Sequence, residues 1–175
     1  MPDMSMHWEG LRELQARLAT LNQDVQNNIS RAAVGAAARV VAKEARLRAP
    51  RAEAAHWRAR GKKVSPGTLA KAIAAGRSRS ESSPGREIWR VFVNHGKKAQ
   101  GRGADAFYAG WVEFGHHVLP SKQMGSLSAR RRAKASMAKW IPGKPFLRPA
   151  LESKKEAAVA AMVDRLKQRL DKAGA

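Results

Sequence analysis

Glu87-Ile88-Trp89-Arg90-Val91-Phe92-Val93-Asn94 is the stretch on which the fold class turns. Its side chains alternate, with Ile88, Arg90 and Phe92 on one side and Trp89, Val91 and Val93 on the other. Both sides carry apolar groups, which predicts a strand in a sheet covered on two faces. The polar, turn-prone stretch Ser78 to Gly85 lies just before it. A partner strand is therefore expected near residues 71–79, closing a hairpin.

Helical patterns flank this hairpin. Leu11, Leu14, Leu18 and Leu21 recur at spacings of three and four, and the polar run Asn22 to Asn28 suits a bend. A second stripe runs through Ile29, Ala32, Ala33, Ala36, Ala37, Val40, Val41 and Ala45, until Pro50 disfavours further helix. Helices are expected near residues 9–22 and 25–47. At the other end, Leu151, Ala158, Val159, Met162, Val163, Leu166 and Leu170 form the stripe of a last helix. Glu152 and Glu156 lie near its start and Lys167, Arg169 and Lys172 near its end, as the helix dipole favours.

Between the helices, Ser65-Pro66-Gly67-Thr68 signals a turn, and Leu69 to Ile73 suits either a strand start or a short helical turn. Phe107, Tyr108, Trp111 and Phe114 fit a short helix, with a strand as the alternative, and Gly115 ends it. Ser126 to Lys139 suits a short basic helix. The expected architecture is α+β: a small antiparallel sheet packed with a long N-terminal helical region and a C-terminal amphipathic helix, with long basic loops. A single domain over residues 1–175 would comprise a helical region at 9–48, a basic loop at 51–66, a sheet and aromatic core at 69–115, a basic insertion at 116–144 and a helix at 146–172.

Charge is the most informative total. Lysine and arginine number 34 against 14 acidic residues, a formal net charge of +20. Residues 43–104 carry net +12 and residues 105–150 net +6, while the terminal segments are nearly balanced. Such a field favours a polyanionic or acidic partner. Cysteine is absent, which excludes disulfides, thiolate metal sites and a cysteine nucleophile. The first residues do not read as a secretory signal, and the longest apolar runs fall well short of a membrane span, so a soluble protein is expected.

Recognisable chemistry is scarce. Glu113, His116 and His117 are close in sequence, but adjacent histidines diverge on a helix, whereas helical zinc sites space theirs four apart. Asp105 and Glu113 are the acids between residues 88 and 151, too few for the carboxylate cluster of a metal-dependent nuclease. Neither a nucleophile elbow nor a phosphate-binding glycine fingerprint occurs. The expectation is no enzyme, no catalytic or metal residues and no cofactor. Basic clusters at Arg58, Arg60, Lys62 and Lys63, at Lys97, Lys98 and Arg102, and at Arg130, Arg131, Arg132 and Lys134 are candidate contacts to DNA or to acidic partners. Glu113, an acid in basic and aromatic surroundings, is either an exposed carboxylate or a partner of Arg148 that pins the last helix.

The order of motifs resembles the siphophage tail-completion family, the small head–tail connector or neck proteins of lambda-like phages. The likeness rests on Tyr108, Ala109, Glu113, Phe114 and Gly115, then on Pro145, Phe146, Leu147, Arg148, Pro149 and Ala150, with a looser match at Ala49, Pro50, Gly67 and Leu69. His116 stands where the family usually has threonine, and residues 51–65 and 116–144 look longer than the family's loops. The resemblance implies a virion protein that forms a ring, commonly a hexamer, where the tail meets the head connector. Its partners would be itself, the tail-tube protein and head-side connector or stopper proteins, with DNA passing through and no membrane. Six such chains would carry about 120 formal positive charges, so acidic neighbours or DNA must lie near. A free, non-specific DNA-binding protein is the alternative.

Overall fold

The computed structural model describes residues 11–19, 21, 23–54, 56–57, 63–96, 105–118 and 139–173. The elements in chain order are α1 (Leu11–Ala19), α2 (Gln23–Arg48), β1 (His56–Trp57), β2 (Lys63–Val64), α3 (Thr68–Ala72), β3 (Ile73–Arg77), β4 (Trp89–Val93), α4 (Ala109–Phe114), β5 (His116–Val118), β6 (Lys139–Ile141) and α5 (Leu147–Lys172). The fold is α+β, with β1–β2, β3–β4 and β5–β6 each forming a two-stranded sheet. The chain divides into two compact units. The first draws on Met1–Glu44, Ala74–Phe92 and Ser153–Ala175, the second on Ala45–Ile73 and Val93–Glu152.

In the first unit, Leu14, Ile29 and Leu170 bring α1, α2 and α5 together, with Leu21, Val163 and Leu166 packed against them. These are the stripe residues expected from the 3.6-residue period. The bend between α1 and α2 is shorter than the polar run suggests, since α2 already starts at Gln23. Gln26 Nε2 donates to the Leu21 carbonyl at 2.7 Å, so a side chain of the polar run ties the start of α2 back to the end of the preceding segment. The small residues of α2 serve close approach. A Cβ at Gly35 would stand 2.8 Å from Cζ2 of Trp89, so the indole occupies the space a larger residue would fill. Arg39 lies over the same ring, 5.5 Å from its centroid.

The hairpin forms where the alternation placed it, with Ser78 N–H donating to the Ile88 carbonyl at 2.9 Å beside the β3–β4 pair. One expectation fails. Trp89, Val91 and Val93 are half-buried, but Arg90 and Phe92 are exposed, so β4 is covered on one face. Phe92 lies across its neighbouring strand, close enough that a Cβ on Gly76 would meet its ring at 3.0 Å.

Glu87, just before β4, accepts two hydrogen bonds from Arg77, at 2.6 and 2.7 Å, and faces Arg31 at 3.6 Å. Its side chain is 3% exposed. The Arg77 hydrogen bonds, aided by the charges of Arg77 and Arg31, hold the Glu87 carboxyl below the ordinary glutamate range despite burial. A depressed folded-state pKa stabilises the fold above the unfolded value, and that contribution fades as pH falls through the folded value. Glu87→Gln should therefore lower the melting temperature at pH 7 by roughly 4 °C. The gap between variant and parent should close on acidification; a gap that stays constant from pH 7 down to acid would contradict the pairing.

In the second unit, Ile73 and Phe146 are the largest fully buried side chains, with Ala45, Ala49, Val64, Leu69, Ala72, Ala106 and Ala150 among their buried companions. Arg46 donates through Nε and Nη2 to the Ile73 carbonyl, at 3.0 and 2.9 Å. The expected turn at Ser65–Thr68 is present: Gly67 takes φ 76° ahead of α3, and Thr68 Oγ1 donates to the Ser65 carbonyl at 2.6 Å. Leu69–Ala72 thus resolves as helix and Ile73 as strand. The basic loop is not wholly an exposed excursion, since β1 and β2 pair antiparallel within it and Val64 is buried. The basic insertion likewise opens and closes on a paired stem, β5 against β6. The basic helix expected at 126–139 lies outside the described residues except at Lys139, which is strand.

The expected aromatic core does not form. Phe107, Trp111 and Phe114 are exposed by 52%, 51% and 78%, and the buried residue of α4 is Glu113. Leu151, assigned to the apolar stripe of α5, is also exposed.

Candidate functional site

Helix α4 is short and fixed at both ends. Ala109 N–H donates to the Ala106 carbonyl at 3.0 Å at its start, and Gly115 N–H donates to the Trp111 carbonyl at 2.9 Å at its end. That frame aims Glu113 inward. Its Oε2 accepts from the backbone N–H of Phe146 at 2.8 Å and of Leu147 at 3.1 Å, and its Oε1 accepts from that of Arg148 at 3.1 Å.

This arrangement explains the second motif residue by residue. A helix begins with backbone N–H groups that have no partner inside the helix. In α5 these belong to Phe146, Leu147 and Arg148, all bound by one carboxylate, while Pro149 has no N–H to satisfy. The first turn of α5 holds no acid of its own, so Glu113 supplies the negative charge that a helix N-terminus favours. Phe146 and Ala150, both 0% exposed, anchor the turn in the core.

The expected pairing of Glu113 with Arg148 is corrected in its chemistry. Glu113 does hold the start of the last helix, but through main-chain amides. The Arg148 guanidinium bonds Glu152 one turn on at 2.9 Å, in a largely exposed pair.

A second contact closes the clamp. Lys144 N–H donates to the Val112 carbonyl at 2.7 Å. Gly115 and Gly143 permit this approach: a Cβ on Gly143 would stand 2.6 Å from the Glu113 carbonyl oxygen. Gly115 adopts φ 81°, ψ 172°, a conformation reserved almost wholly for glycine. Gly143 escaped the sequence reading because a Pro-Gly pair signals a turn, not a tight crossing of two backbones.

The histidines beside Glu113 separate instead of converging. His116 stacks on Trp111 with ring centroids 5.4 Å apart, whereas His117 packs with Trp140 at 4.8 Å. Tyr108 and Ala109, the first motif residues, are half-buried at the start of α4. Among the described residues, no group of three or more histidines or carboxylates could hold a metal ion. No described helix is long and apolar enough to cross a membrane.

Of the basic candidates, Arg58, Arg60, Lys62, Lys97, Lys98, Arg102, Arg130, Arg131, Arg132 and Lys134 lie outside the described residues. Lys63 is described through its backbone in β2. Division into units nonetheless sharpens the charge reading: the second unit holds nineteen lysines and arginines against four acids.

Fold and site together define a basic α+β protein in which one buried carboxylate clamps two segments of backbone. The chain belongs to the HK97-gp10-like family, whose model, described as "Bacteriophage HK97-gp10, putative tail-component", matches residues 12–115. That span ends at Gly115, beside the clamp carboxylate, and the amides the carboxylate holds lie beyond it. No curated protein and no solved structure matches the chain.

Proposed function

We propose that this chain is a structural virion protein of the head–tail junction, acting by assembly and without catalysis. It forms a ring that terminates or completes the tail and joins it to the head connector around the DNA channel. The family match over residues 12–115 carries this reading, because that family is one of phage tail components. The charge supports it: a ring of such chains surrounds a passage that suits a polyanion. The clamp supports it too, since a rigid element start gives a fixed surface for neighbours to meet.

Purified full-length protein is expected to form closed rings by electron microscopy and native mass spectrometry, and the chain should be found in intact particles. A monomer missing from particles would end the proposal. The same charge also favours a second reading, non-specific DNA binding through the basic segments. A steeply salt-dependent DNA mobility shift by a monomer would favour that one.

A further inference from the structure

Aromatic residues are scarce here, with five tryptophans, four phenylalanines and one tyrosine in the chain. Yet Phe107, Trp111, Phe114 and Trp140, all in the second unit, are each at least half exposed. Trp111 stands edge-on to Phe107, with centroids 5.4 Å apart, and His116 stacks on Trp111 at the same distance. Ile141, the cross-strand partner of His116, is also exposed and extends the series onto the β5–β6 hairpin. Exposed apolar surface of this continuity marks an interaction site. Ring-to-ring contacts already hold Phe107 and Trp111, so little ordering of those two side chains remains to oppose binding.

Charge selects the occupant. The second unit's nineteen cations face four acids, and three of those acids are engaged: Glu113 by three amides, Asp105 by the Gly96 N–H, Glu152 by Arg148. A second copy would bring a unit with the same excess of positive charge. Duplex DNA would answer the charge, but most of what it presents to a protein is phosphate and sugar, with its apolar base faces stacked inside the helix. We propose that the face formed by Phe107, Trp111, Phe114 and Ile141 docks an acidic protein surface that carries its own apolar anchors. Exposed Lys139 and Lys144, flanking Ile141 in sequence, supply cations at its rim. The inference rests on the chain being built into particles with other proteins, as proposed above.

The test is photo-crosslinking in cells assembling the phage. The full chain carries a benzophenone amino acid in place of Phe114, with a matching probe in place of exposed Lys155 on α5 as control. The expected product joins position 114 to a net-acidic peptide of another particle protein, identified by mass spectrometry. Phe107→Ala with Trp111→Ala should cut that product at least tenfold while circular dichroism and the melting curve change little. Lys139→Glu with Lys144→Glu, which leaves the rings intact, should cut it as well. Adducts only to the chain's own copies or to DNA would overturn the proposal, as would a product insensitive to both double substitutions. So would the lack of any position-114 adduct in particles that contain the chain. If the chain never enters particles, the virion reading fails first and this inference falls with it.

Discussion

Glu113→Ala is expected to lower the melting temperature by roughly 10 °C. The side chain is 7% exposed and accepts from three main-chain amides. Hydrogen bonds to a charged group contribute about 1.5–3 kcal/mol, and a buried donor left without a partner costs about 1–3 kcal/mol. These contributions overlap, so about 3–4 kcal/mol in total is a reasonable sum, within reach of a typical domain's whole stability. Glu113→Gln keeps one acceptor oxygen but turns an NH₂ toward a donor and removes the charge at the helix start, so it should cost about half as much. Arg148→Ala should cost less than about 0.5 kcal/mol, because its guanidinium serves an exposed pair. Thermal melts of the three variants, with hydrogen exchange at residues 146–148, decide the matter. Equal losses for Glu113→Ala and Arg148→Ala would mean that the two side chains pair after all, and that the amides are held by something else.

The contrast between those two residues shows what the sequence could disclose. Periodicity is enough for α1, α2 and α5, and alternation for the β3–β4 hairpin, because burial of a stripe or a strand face repeats at a fixed interval. Leu14, Ile29 and Leu170 are buried as their spacing requires. Glu113 stands out as an isolated acid, and of its two readings the one that points to the start of the last helix agrees with the observed contacts. Its true partners were hidden because backbone amides have no letter in a sequence. The aromatic residues of α4 misled for a related reason: helical spacing fixes which side chains share a face, but not whether that face turns inward. In α4 the inward position belongs to a carboxylate, and Phe107, Trp111 and Phe114 are left outside. The Arg77–Glu87–Arg31 cluster gave no local signal at all, since its three members come from separate elements.

Gly115→Ala should be at least as damaging as loss of the Glu113 carboxylate, for reasons that can be separated by experiment. At φ 81° and ψ 172° an L side chain is strained by about 1–3 kcal/mol before any neighbour is considered. A Cβ there would also meet the Ile141 carbonyl oxygen at 2.7 Å, the Gly143 nitrogen at 2.9 Å and Trp140 Cζ2 at 2.6 Å. The indole can swing aside, but the two backbone atoms belong to the crossing that Lys144 and Val112 close. Forcing them apart adds about 1–3 kcal/mol, which brings the total to about 4 kcal/mol. Gly67→Ala is the matching control. Gly67 also has positive φ, 76°, yet nothing lies within 4 Å of its Cβ position. It should therefore show the conformational cost alone, about 1–2 kcal/mol. The comparison is made by urea denaturation of the two full-length variants. If both lose the same stability, the crossing of Gly115 and Gly143 is slack, and α5 owes its position to the Glu113 carboxylate alone. If Gly115→Ala loses several times more, helix start and hairpin stem are held by one rigid joint.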